Sequence, residues 1–154
     1  MKYFFILLSI VVGIVLTLMP LPQWAIFLRP QWMLMVVLFW ILMLPFQVGV
    51  VFAWMVGLLA DLMIGTPLCQ HAIAFLIVAY FFLKAHRIVF HAPVFQQALY
   101  VGFFALLSVM IQAIVLHMSG HSGYVGLNML SVFFTMAFWP MVCGCLSRGV
   151  IGNR

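Results

Sequence analysis

Apolar residues fill six runs, each closed by proline, glycine or a few polar residues. They lie at about 3–19, 30–44, 47–64, 67–83, 95–117 and 127–146, and each predicts a helix long enough, or nearly so, to cross a bilayer. The first run ends before Pro20 and Pro22, which cannot continue a helix. No small-x-small cleavage site follows it, so the expectation is an uncleaved first span. The second run opens at Arg29-Pro30 and stops at Pro45; from Trp32 to Leu44 it covers only about 20 Å, short of a hydrocarbon core of roughly 30 Å. After the third run, Gly65-Thr66-Pro67 predicts a tight turn, with Thr66 as N-cap and Pro67 in the first turn of the fourth helix. The stretch from Lys84 to Pro93 is the most polar and reads as a basic loop, His86 and His91 being interfacial. Trp139-Pro140 predicts a kink in the sixth helix.

The third run has a finer pattern. Gly49, Ala53, Gly57, Asp61 and Gly65 recur at every fourth position, which keeps them on one slowly drifting helix face. Small residues at that spacing let a second helix approach closely in a membrane. The rest of the chain is expected to surround this helix. Trp54 lies mid-span beside the stripe, as Trp40 does in the second run, and reads as a packing or partner contact; Trp24 and Trp32 fit an aromatic belt at the boundary.

Composition then sets the class. Of 154 residues 69% are hydrophobic and only 5% charged, far too few charges to cover a soluble domain. The chain reads as an all-α integral membrane protein, a single compact bundle of six transmembrane helices. The net charge of +5 comes from singly placed basic residues at segment ends, so it marks topology, not nucleic-acid binding. With six spans and a cytoplasmic N-terminus, Lys2, Lys84, Arg87, Arg148 and Arg154 lie inside and only Arg29 outside. If residues 32–64 were one broken span, the N-terminus would instead be outside. Both arrangements keep the Lys84–Gln97 segment and the C-terminus cytoplasmic.

Candidate chemistry is sparse. Asp61 is the only acidic residue, and an intramembrane carboxylate needs a partner. Arg29 and His71 fall at the same predicted end of the bundle, so Asp61–Arg29 or Asp61–His71 is the expected pair. A proton or cation site is the functional reading; an ion pair that locks helices together is the structural one, preferred because a proton-coupled transporter needs several embedded polar partners. His117 and His121 have metal-ligand spacing, but Gly120 between them and the absence of a further ligand favour a wetted loop. Cys69, Cys143 and Cys145 give neither a disulfide framework nor a metal motif. With one Asp and no Glu, acid–base and phosphoryl chemistry lack parts, so no catalytic residue, metal or cofactor is expected.

Arg29-Pro30-Gln31-Trp32, the run to Pro45, Val48-Gly49, Ala53-Trp54, Gly57 to Asp61, Gly65, Leu68, Gln70-His71-Ala72 and Tyr80 together resemble the MreD family of rod shape-determining proteins. Arg87 and Phe95-Gln96-Gln97-Ala98-Leu99 extend the resemblance, which covers nearly the whole chain. At Cys69 the family pattern implies glycine. The resemblance implies a non-enzymatic, multi-pass component of the bacterial inner membrane that serves cell-wall elongation as a scaffold. The implied partners are MreC, with MreB, RodA and its transpeptidase. It also implies a fold like that of the substrate-binding subunits of energy-coupling-factor transporters. The alternative function is therefore a small-solute subunit, with a polar cavity between Arg29, Asp61, His71 and Gln112. On the scaffold reading, Gly49, Ala53, Trp54, Gly57 and Gly65 serve helix packing or partner contact, and Lys84, Arg87, Gln96 and Gln97 form a cytoplasmic loop surface for MreB or anionic lipid.

Overall fold

The computed structural model describes residues 2–20, 30–66, 69–120 and 129–151, which form six helices. In chain order these are α1 (Lys2–Leu18), α2 (Trp32–Met43), α3 (Val50–Ile64), α4 (Gln70–His91), α5 (Val94–Met118) and α6 (Met129–Ile151). Arg29, Trp24, Pro67 and His121 lie outside the described residues. Gln70–His91, Val94–Met118 and Met129–Arg148 are each long and apolar enough to cross a membrane; α2 and α3 are shorter apolar helices. Side chains such as Val51, Leu62, Phe103, Ile114 and Phe133 stand exposed on the outer faces. Such a surface fits a membrane protein and would be a liability in water.

The helix that the others enclose is α2, not α3. Every residue from Met33 to Leu42 is buried, and α2 touches each of the other five helices. A helix apolar on all sides has no face suited to water and goes to the centre. Its one mid-helix polar atom is satisfied: Trp40 Nε1–H donates to Ser9 Oγ on α1 at 2.7 Å, and that hydroxyl donates to the Ile6 carbonyl at 2.8 Å. Trp32, at the first position of α2, is half-buried and meets Phe138 of α6 edge to face, with centroids 5.3 Å apart.

The ends of α2 are held from elsewhere in the chain. At its N-cap the Gln31 N–H donates to Thr135 Oγ1 of α6 at 3.0 Å. Near its C-terminus the Leu42 carbonyl accepts from His86 Nε2 of α4 at 3.0 Å. A carbonyl can only accept, so His86 carries its proton on Nε2. His86, half-buried, therefore caps the C-terminal end of α2. Helix ends leave backbone groups without intrahelical partners, and in an apolar bundle side chains must supply them.

Two expected boundaries shift. α4 begins at Gln70 and continues to His91, so the anticipated basic loop is the last two turns of a helix, and only Ala92 and Pro93 separate it from α5. Lys84 Nζ lies 4.6 Å over the Tyr80 ring one turn back, a contact available only on a helix. α6 runs on through Pro140 and past Leu146.

Candidate functional site

The largest interface between helices is that of α3 with α4, and it explains the small-residue stripe. Ala53, Gly57 and Asp61 are all buried. A methyl group built on Gly57 would stand 2.5 Å from Ala72 Cα and 2.9 Å from both the Ala72 nitrogen and the His71 carbonyl oxygen. These are backbone atoms of α4 and cannot swing aside, so hydrogen is the only side chain that fits. The ends of the stripe do something else. Gly49 is the N-cap of α3 and has nothing within 4 Å of a built Cβ. Gly65 ends α3 in the left-handed region at φ +74°, its N–H bonded to the Asp61 carbonyl at 3.0 Å. It is a C-terminal glycine with a conformational role. Trp54 is 39% exposed on the outer face.

Asp61 projects from the last turn of α3 onto the start of α4. Its Oδ1 accepts from the Thr66 hydroxyl at 2.9 Å, the His71 N–H at 2.9 Å and His71 Nδ1 at 2.8 Å, and its Oδ2 accepts from the Ala72 N–H at 3.3 Å. Cys69 is the N-cap of α4 and makes no side-chain capping bond, so the carboxylate of α3 caps α4 across the turn. Thr66, the anticipated N-cap, donates to that carboxylate instead. Four donors on one carboxylate are the set its acceptor-only form takes, and the positive end of the α4 dipole adds to them. The carboxylate has no proton to give, so His71 holds its own on Nδ1. Cys69 sits at φ +74°, the only non-glycine among the described residues with positive φ. That is the position where the family resemblance implies glycine, and a left-handed backbone is the reason glycine suits it.

Thr66 and His71 line a cavity of about 360 Å³, together with Gln31 of the α2 N-cap, Gln70 of α4, Gln112 of α5 and Ser131 of α6. The cavity thus gathers polar side chains from one end of the bundle. The opposite end carries Lys84, Arg87 and Gln96, all exposed. Gln97 does not belong to that surface: it is buried, and its Nε2 donates to the Ala92 carbonyl at 3.0 Å, closing the short α4–α5 connection. Sequence reasoning also missed Gly102, where an added Cβ would collide with the Met136 side chain of α6; a lone glycine within a helix was the one available signal.

A family model described as rod shape-determining protein MreD matches residues 1–148. The chain belongs to the MreD family. No curated protein and no solved structure matches it. MreD membership connects the chain with rod-shape determination and with the cell-shape system of that family, and the apolar helices fit an MreD protein in a membrane.

Proposed function

We infer that this chain is a non-catalytic scaffold of the cell-wall elongation machinery, spanning the bacterial inner membrane six times with both termini in the cytoplasm. In this role it binds MreC and links it to MreB, RodA and the transpeptidase. The match to the MreD family over residues 1–148 carries the reading. The short helix α2 need not reach both lipid surfaces itself. Backbone enclosed by other protein segments is tolerated at membrane depth, and α2 is so enclosed.

The end with Lys84 and Arg87 then faces the cytoplasm by the positive-inside rule, and the end with Asp61 faces the periplasm. Lys84, Arg87 and Gln96 form the surface for MreB or anionic lipid. Because Gly57 is engaged by α4, the single span of MreC docks on the outer face of α3 around Val51, Trp54 and Met55, each of which is exposed. The Asp61 cluster is structural: it fastens α3 to α4 and so sets the shape of that outer face.

Purification of a tagged copy in mild detergent, with mass spectrometry of the retained proteins, tests the reading. Recovery of MreC with MreB or the polymerase pair is expected, and Trp54→Ala should reduce MreC recovery without altering the melting temperature. Recovery of an ATPase pair with a coupling subunit would replace the scaffold by a solute-transport subunit.

A further inference from the structure

α1 and α6 meet only sparsely, and between them, floored by α2, lies a groove of about 490 Å³. Phe5 to Leu16 wall it on α1, Met141 to Leu146 wall it on α6, and Val36 and Trp40 belong to its floor. Val12 and Met141 are 50% and 61% exposed, so the groove opens on the outer surface. The Ser9 hydroxyl on its wall is already spent between Trp40 and the Ile6 carbonyl, and the rest of the lining is apolar. A cleft so lined holds no water and in a bilayer takes hydrocarbon. From Phe5 to Leu16 it follows α1 for about 16 Å, close to one leaflet's half of a roughly 30 Å hydrocarbon core.

One end of the groove is charged. α1 runs against α2, with Ser9 at Trp40 and Gly13 facing Met33 and Val36. α6 runs along with α2, with Thr135 at Gln31 and Phe138 at Trp32. Phe5 and Cys145 therefore lie toward the same end of the bundle, the one where His86 caps α2. Met141, Cys145 and Arg148 stand at i, i+4 and i+7 of α6, so Arg148 continues the groove wall beyond Cys145, and it is exposed. The only acidic side chain of the protein caps α4 at the opposite end, which leaves none to pair with this guanidinium. Basic positions beside clefts between transmembrane helices take anionic head groups, and arginine matches a phosphate with two parallel hydrogen bonds. We propose that the α1–α6 groove holds an acyl chain of an anionic phospholipid whose phosphate pairs with Arg148. The proposal rests on the membrane-spanning part of the scaffold reading and not on its partners.

The test places the protein in nanodiscs of equimolar phosphatidylglycerol and phosphatidylcholine with identical chains, extracts it in mild detergent, and counts retained lipid by native mass spectrometry. Retained phosphatidylglycerol is expected, favoured over phosphatidylcholine about fivefold or more. Arg148→Gln should bring that ratio to about one. Val12→Trp, which fills the groove and leaves Arg148 in place, should remove the retained lipid. Where that variant fails to fold, Cys145→Trp fills the groove from the opposite wall and carries the comparison. Lys84→Gln/Arg87→Gln alters the same end of the bundle outside the groove and should leave the ratio unchanged. Absence of retained lipid, equal retention of the two lipids, or a preference that survives Arg148→Gln overturns the proposal. So does a preference that Lys84→Gln/Arg87→Gln removes equally, which would be surface charge acting without the groove. If Val12→Trp lowers recovery of a partner protein from native membranes and leaves the lipid count as it was, the groove belongs to a partner's helix and the proposal falls. Lipid counting and MreC recovery are separate readouts, so failure of the first leaves the scaffold reading where it was.

Discussion

Replacing Asp61 by asparagine keeps the side-chain volume and removes the charge. The best carboxamide placement leaves its oxygen on the Thr66 hydroxyl, the His71 N–H and His71 Nδ1, at 2.8–2.9 Å. Its NH₂ group must then face the Ala72 N–H, where Oδ2 now accepts at 3.3 Å. That donor-against-donor contact strands a buried N–H at about 1–3 kcal/mol, and the three remaining bonds lose charge assistance, which roughly doubles a bond's strength. The net loss is about 3 kcal/mol, or about a hundredfold in the folding equilibrium. For a chain of this size it corresponds to a melting temperature lower by about 6–12 °C. Thermal unfolding of the purified protein, followed by tryptophan fluorescence, reads the shift directly. Asp61→Ala should fall further, since all four donors lose their acceptor. His71→Phe should cost less than either, because two backbone donors and Thr66 stay on the carboxylate. Asp61→Asn melting within about 1 °C of the parent would refute the reasoning: the α4 N-terminus would then be served by another acceptor.

Gly57→Ala should destabilise by about 2 kcal/mol or more through overpacking against the α4 backbone, whereas Gly49→Ala, with open space at its Cβ, should melt within about 2 °C of the parent. Cys69→Gly should raise stability by about 1 kcal/mol by relieving a left-handed non-glycine backbone, again measured by melting. Ser9→Ala and Trp40→Phe should each cost about 1 kcal/mol; the double variant should cost less than their sum, because both remove the 2.7 Å bond joining α1 and α2. Trp54→Ala should lower MreC recovery while the isolated protein melts as before.

The polypeptide sequence determined the element type and number through composition. Where water is excluded, a backbone must close its hydrogen bonds within the segment, so apolar runs punctuated by proline and glycine are helices whatever their packing. The resemblance carried by the 29–99 block was legible too, as was the isolation of Asp61. The direction in which that residue turns was half legible: His71 was one of two expected partners, but nothing local said that the carboxylate would cap the next helix.

Only the tertiary structure decided which helix is central. Amphipathicity normally marks the inner face, but in a membrane protein the outer face is apolar as well, so α2 looked like its neighbours on paper. It also divided the small-residue stripe, whose spacing is uniform while its surroundings are not: α4 backbone lies against Gly57, a chain reversal at Gly65, and open space beside Gly49. Helix ends were the least legible part. Capping rules describe side chains a few positions from the end they serve, and they pointed to Thr66. Here Asp61 serves His71 and Ala72, His86 serves Leu42, and Thr135 serves Gln31 from 104 positions away. Orphan backbone groups in an apolar bundle take whatever donor or acceptor the fold brings within 3 Å or so, and that depends on packing, not on spacing along the chain.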